Sequence, residues 1–187
     1  MEAIYIDKHY NLVVECKKGE RKAYHELYKL YAKAMYNICV RILNNTAEAE
    51  DVLQEAFLDA FTRIKDFRQE TTFGLWLKQI VIHKAINCLR KRKVIFEDIA
   101  EVDIEEVIDL NYADDIAEIN FKVETVKEAM MLLPEGYRLV LSLYLLEGYD
   151  HEEISQILKI SVNTSRTQFL RAKRKLIEIL KLKGIER

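Results

Sequence analysis

Proline is almost absent from this chain and glycine is scarce: one Pro and five Gly in 187 residues. A sandwich or barrel needs many turn residues, so this scarcity excludes those architectures and favours long helices. It also leaves no GxGxxG and no GxxxxGK[ST], and so no glycine-rich phosphate cradle. No apolar run approaches the roughly 18 residues of a membrane helix, and the charged start (Glu2, Asp7, Lys8) holds no signal-peptide core. The three cysteines, Cys16, Cys39 and Cys88, are far apart and form no CxxC. They read as inert thiols of a cytoplasmic protein rather than as zinc or redox ligands. The four histidines (His9, His25, His83, His151) have no ligand spacing, and no carboxylate pair or nucleophile elbow stands out, so an enzyme is the least favoured class and neither a metal nor a cofactor is expected.

What is abundant is segregated charge. Half the residues are hydrophobic and 32% are charged, which suits a packed globular protein. Residues 1–96 carry 17 basic and 12 acidic side chains. Residues 97–118 carry 10 acids and no base, residues 119–158 carry 3 bases and 7 acids, and residues 159–187 carry 9 bases and 2 acids. Two basic lobes thus flank an acidic connector, and a run of like charge is solvated and often an interaction segment.

Periodicity supplies the elements. His25–Leu43 repeats apolar residues at Leu27, Leu30, Tyr31, Ala34, Met35, Ile38, Cys39 and Ile42, the mark of a buried helical stripe. Asn44-Asn45 breaks it, and Asn45 with Glu48 fits an N-cap. A second helix is predicted over 46–64, a polar break over Asp66–Gly74, and a third helix over 75–92. A further helical unit starts near Ile119 and is restarted at Pro134. Arg138–Leu146 is an apolar helix ended by Gly148. Asp150 with Glu153 is another capping signature, opening a short helix 151–158. A turn at 159–161 and a long helix from Val162 complete a helix-turn-helix pattern. The predicted fold is all-α: two small helical domains (1–96 and 121–187) joined by an acidic linker (97–120), the second a helix-turn-helix domain.

Three faces on these helices suggest function. On the last helix, Ser165, Phe169, Ala172 and Leu176 should pack inward. Asn163, Thr164, Thr167, Arg171 and Arg174, flanked by Arg166 and Lys173, then face out. A polar start followed by a basic body suits base edges and phosphates of the major groove; the plain alternative is a solvated amphipathic helix. On helix 75–92, Leu77, Val81, Ile82, Ala85, Cys88 and Leu89 should be buried, leaving a stripe of Trp76, Gln79, His83, Asn87 and Arg90. An aromatic, amides and a guanidinium in one stripe suit unstacked bases of a single strand, although Trp76 taken alone reads equally as core. On helix 46–64, Glu48, Asp51, Glu55 and Asp59, with Gln54 beside them, form an acidic ridge. That ridge would repel DNA and belongs against solvent or a basic protein.

In combination, AEAEDVLQEAFLDAF (47–61), FRQETTFGLWLKQIVIHKAINCLRKRK (67–93) and LPEGYRLVLSLYLLEGYDHEEISQILKISVNTSRTQFLRAKRKL (133–176) resemble, in order and spacing, a sigma factor of the extracytoplasmic-function group of the sigma-70 family. The resemblance implies that 47–61 is the core-polymerase-binding helix, with Asp51, Gln54 and Glu55 at the family's acid and QE positions. It implies that 67–93 captures the melted −10 element, with a pocket for a flipped base between Phe67 and Trp76 that includes Phe73. The recognition helix of the −35 reader would then use Thr164, Arg166, Thr167, Gln168 and Arg171. Core RNA polymerase, promoter DNA and an anti-sigma factor are the implied partners, and the linker would follow a polymerase path normally taken by nucleic acid. The chain departs from the family in having His83 where Asn is frequent, Asn87 where Asp is frequent, and Asn163-Thr164-Ser165-Arg166-Thr167-Gln168 where GTVKSR is common, so the promoter preference does not carry over. The main rival is a stand-alone helix-turn-helix regulator with an N-terminal sensing or dimerisation domain, which would bind duplex DNA without polymerase; a second is an adaptor that only docks polymerase.

Overall fold

The computed structural model describes residues 7–92 and 123–182, and among these all regular structure is helical. No helix among them is long and apolar enough to cross a membrane. The chain divides at Lys91/Arg92 into two compact units. The acidic connector, residues 97–118, lies outside the described residues.

In the first unit, α1 (Tyr10–Lys18) precedes every helix expected from periodicity. It ends at Gly19, whose backbone is left-handed (φ 92°). Gly19 N–H donates to Cys16 O and Glu20 N–H to Glu15 O, the paired bonds that close a helix through a residue without a Cβ penalty. Helix α2 (Arg21–Leu43) begins four residues before the predicted start and stops at Asn44, which is also left-handed (φ 50°). The next residue does the opposite job: Asn45 is extended and its side chain accepts from Glu48 N at 3.2 Å, opening α3 (Thr46–Thr62). Two adjacent asparagines therefore close one helix and start the next. A 3-10 turn at Ile64–Asp66 replaces the predicted last turn of α3 and buries Ile64.

Helix α4 (Phe73–Lys91) starts two residues earlier than predicted. Its first amides find partners: Phe73 N–H donates to Asp7 Oδ2 at 2.7 Å, and Leu75 N–H to Thr72 Oγ1 at 3.3 Å. Helices α2, α3 and α4 pack on one another around Leu27, Ile42, Leu43, Phe57, Leu77 and Leu89, all at most 3% exposed. Leu30 and Ala34 correct the predicted stripe: both are exposed, and Tyr31 is half-buried. They sit on the trailing edge of the apolar arc. α3 reaches the first half of α2 on another side, where Tyr24 meets Phe61 and Tyr28 meets Phe57 at 5.0 and 4.8 Å between ring centres. Cys88, expected inside, is half-buried.

The second unit comprises α5 (Val123–Met131), α6 (Glu135–Leu145), α7 (His151–Leu158) and α8 (Val162–Leu182). One cluster of its core is Ala129, Met130, Leu133, Leu141, Ala172, Leu176 and Leu180. Pro134 separates α5 from α6, and Gly148 (φ 80°) turns the chain after α6. Asp150 and Glu153 form a complete capping box: Asp150 Oδ1 accepts from the Glu152 and Glu153 amides at 2.8 Å, and Glu153 Oε2 accepts from Asp150 N at 2.9 Å. Lys159 ends α7 in the left-handed region (φ 59°). Ser161 Oγ accepts from Thr164 N at 2.9 Å at the start of α8. α7 and α8 pack directly, so 151–182 is a helix-turn-helix.

Candidate functional site

The acidic ridge of α3 is real but unequal. Asp51, Gln54 and Glu55 are exposed. Asp59 is committed to α4: its Oδ2 lies 2.7 Å from Lys84 Nζ, which also stands 3.4 Å from Glu55 Oε2. The hydrogen bond to Asp59, ahead of the charges around it and against partial burial, pushes the Lys84 ammonium above its ordinary value. Beside the ridge, Asp51, Val52, Glu55, Lys84, Asn87 and Cys88 line a groove of about 570 Å³ between α3 and α4. At the end of the ridge Leu58 stands 68% exposed. Sequence reading missed it, although a leucine three and four residues after Glu55 and Gln54 shares their helical face.

The second face begins with an aromatic knot. Phe67 and Trp76 lie 5.2 Å apart between ring centres, Phe73 and Trp76 5.8 Å, and Tyr31 and Phe73 5.5 Å. Lys17 Nζ donates to Phe67 O at 2.6 Å and sits 5.7 Å from its ring centre. Phe67 and Phe73 are 3% and 0% exposed, which corrects the expectation that they offer open faces to a base. They face inward because α1, α2 and α4 converge on the loop between them, where they brace it. Trp76 is half-buried, so the knot leaves part of its indole outside. The loop residues Arg68, Gln69 and Glu70 are exposed, and Gln69 adopts φ 62°, a left-handed bend at a residue with a Cβ. Along α4, Gln79, His83 and Asn87 are exposed and Arg90 is half-buried, its Nη1 donating to Asn87 Oδ1 at 3.2 Å. The structure thus brings Trp76, Gln79, His83, Asn87 and Arg90 onto one side of one helix.

On α8, Asn163, Arg166 and Arg174 are exposed, while Thr164, Thr167 and Arg171 are half-buried. The Thr164 hydroxyl lies 2.8 Å from Ser161 Oγ, which fixes its rotamer at the helix start. Gln168 is a correction: it is 2% exposed, with no hydrogen bond to its Oε1 among the described residues. It falls between Ser165 and Ala172 at helical spacing, on the side that packs against the rest of the unit. Phe169, predicted inward, is half-buried and packs on Tyr144, ring centres 4.5 Å apart. No group of His, Cys, Asp and Glu that could hold a metal ion occurs among the described residues.

Comparison with known proteins accounts for the pairing of these faces. Residues 27–94 match the family described as Sigma-70 region 2, and residues 124–176 match Sigma-70, region 4. Over 173 residues the chain is 30% identical to the ECF RNA polymerase sigma factor SigW of Bacillus subtilis, covering 88% of this chain and 92% of the relative. It is 31% identical over 170 residues to the RNA polymerase sigma-H factor of Pseudomonas aeruginosa, covering 87% of this chain and 88% of that one. The fold is similar to that of the sigma factor RpoE of Bartonella quintana, solved in complex with the anti-sigma factor NepR, with a TM-score of 0.54 at 20% identity over 89% of this chain and 99% of that one.

Proposed function

The chain belongs to the sigma-70 family, in its extracytoplasmic-function group, and is a promoter-specificity factor for RNA polymerase; from that premise we propose which of its surfaces performs each step. Residues 1–96 act as the polymerase-docking and −10-reading domain, 97–120 as the linker, and 121–187 as the −35 reader. Asp51, Gln54 and Glu55 meet a basic helical surface of core polymerase. One exposed ion pair contributes only about 0.2–1 kcal/mol, so docking sums several contacts, and exposed Leu58 adds apolar area beside them. Asp59 is held by Lys84 and keeps α3 seated on α4 instead.

The α4 stripe receives the separated −10 strand. Trp76 offers the uncovered part of its indole for stacking, worth about 1–3 kcal/mol per base; Gln79, His83 and Asn87 supply hydrogen bonds, and Arg90 supplies charge. Phe67 and Phe73 support this surface from inside. Extruding a base costs a few kcal/mol and becomes favourable where stacking is already lost. On α8, Asn163, Thr164, Arg166 and Thr167 read base edges, while Arg171 and Arg174 neutralise phosphate. Gln168 packs the helix. Each DNA contact is weak alone, and mounting both domains on polymerase raises effective concentration enough to make one specific reader. The factor works in the cytoplasm beside its polymerase. An anti-sigma protein holds it in reserve by covering these faces, an extension from the complex in which the Bartonella relative was solved.

The observation that carries this reading is the presence in one chain of an exposed acidic ridge on α3 and an exposed polar and basic start on α8. The test is pull-down of core polymerase with the Asp51→Lys/Glu55→Lys variant, since like charge set against a basic surface costs several kcal/mol. The variant is expected to keep its helical content, lose co-purification and start no RNA in run-off transcription. Normal binding by the variant would show the ridge to be idle.

A further inference from the structure

His151 opens α7, and its ring is wedged between that helix and its two neighbours. It stacks on Tyr144 near the end of α6 at 4.6 Å and 22°, and meets Phe169 of α8 edge-on at 5.5 Å and 70°. Its Nδ1 lies 2.9 Å from Ser165 Oγ. Ser165 is 0% exposed and is the fourth residue of α8, directly between Thr164 and Arg166. A bond at Ser165 therefore sets the rotation of α8 at the turn where its outward side chains begin. The connection between α7 and α8 is only three residues long, so the His151–Ser165 contact lies close to the turn that joins the two helices.

We propose that His151 is a positioning residue for the recognition helix, and that its neutral ring, bonded to Ser165 and stacked on Tyr144, is a proton-sensitive seat for α8 whose protonation weakens promoter reading. The proposal rests on the promoter-reading role of α8 for its consequence, while the seat itself stands on the geometry. The charges acting on the ring come from two sides. Arg166 of α8 disfavours a cation there, and Asp150, beside it in the chain, favours one. Asp150 is already occupied as acceptor of the Glu152 and Glu153 amides. The positive end of α7 also opposes a cation at its first residue. Toward α6 the ring meets the uncharged Tyr144, and on α8 Lys173 Nζ sits 5.7 Å from the centre of the Phe169 ring. Stacking on tyrosine would favour imidazolium, but burial first and Arg166 second hold the ring below its usual range. A depressed folded value makes the seat complete above the ordinary histidine range and progressively lost as pH falls through the folded value.

The first test is NMR of the labelled full chain, titrated from about pH 8 to about pH 5. The His151 ring is expected to titrate below about 6.5, the ordinary histidine value, and the Ser165 and Arg166 amides are expected to move with the same midpoint. Ser165→Ala keeps the stack and uncouples those amides from the ring; His151→Phe keeps a ring and abolishes the midpoint. A ring that titrates at its ordinary value, or amides that ignore it, overturns the proposal. The second test is run-off transcription by holoenzyme on genomic DNA fragments. Relative to His151→Phe, the unaltered protein is expected to lose about threefold of its initiation between about pH 7.5 and about pH 5.5. Equal pH slopes for the two proteins overturn the promoter consequence. Absence of any initiation at neutral pH counts against the promoter-factor role, and the NMR titration still decides the seat.

Discussion

A single methyl group at Gly74 tests how tightly the first unit is built around its aromatic knot. A Cβ placed there would stand 2.8 Å from Tyr31 Cε1, with Tyr31 Cζ and Cδ1 at 3.5 and 3.6 Å. The ring has little room to yield, because His9 meets it edge-on at 5.8 Å and Phe73 at 5.5 Å. Two effects oppose one another in Gly74→Ala. Removing a helical glycine favours the fold by about 0.5–1 kcal/mol, least near a helix start. Forcing a methyl into a packed site costs about 1–3 kcal/mol. The clash should win, with a net loss of about 1–2 kcal/mol. For a unit of this size each kcal/mol lowers the midpoint by about 4–8 °C, so the expected drop is about 5–15 °C. Trp76 is the chain's single tryptophan and belongs to the same unit, so its fluorescence during heating reports this unit without interference from the other. Tyr31→Leu supplies the control. In that background Gly74→Ala should be neutral or stabilising, and the difference between backgrounds measures the clash directly. An unchanged or raised midpoint for Gly74→Ala with Tyr31 intact would refute the reasoning.

Two further outcomes concern the α7 cap and the cysteines. Asp150→Ala removes the acceptor of two α7 amides and should destabilise α7 by about 1 kcal/mol; faster amide exchange at Glu152 and Glu153 is the expected signal, and unchanged protection would show the box to be dispensable. Burial pushes the Cys16 thiol up to about 11 and the Cys39 thiol up to about 12, and it raises Cys88 as well. All three should therefore resist alkylation near neutral pH in the folded chain, since thiolate is the reacting form. Mass spectrometry should find half-buried Cys88 modified first, and rapid modification of Cys39 in the folded state would contradict its placement.

Several elements were legible because the forces that set them are local. Asn45 caps α3 through an amide three residues on. Asp150 and Glu153 close their box within one turn, and α7 spans 151–158, the boundaries that capping and the following turn predict. The α4 stripe and the acidic ridge follow from a period of 3.6 residues. Which of those residues are available to a partner was not legible. Phe67, Phe73 and Gln168 have types and spacings that suit contact, yet each is at most 3% exposed. Leu30 carries the apolar spacing of a core residue and is 49% exposed.

The sequence by itself determined the helical class, the capping signals, the segregation of charge and the family, because each resides in neighbouring residues or in the ordered set of motifs. Tertiary structure alone decided that Asp7 receives the first amide of α4 from 66 residues away, that Lys84 takes Asp59 out of the acidic ridge, and that His151 meets Ser165. Those contacts depend on which helix faces cover one another, and a helical period states which residues share a face without saying what that face will meet.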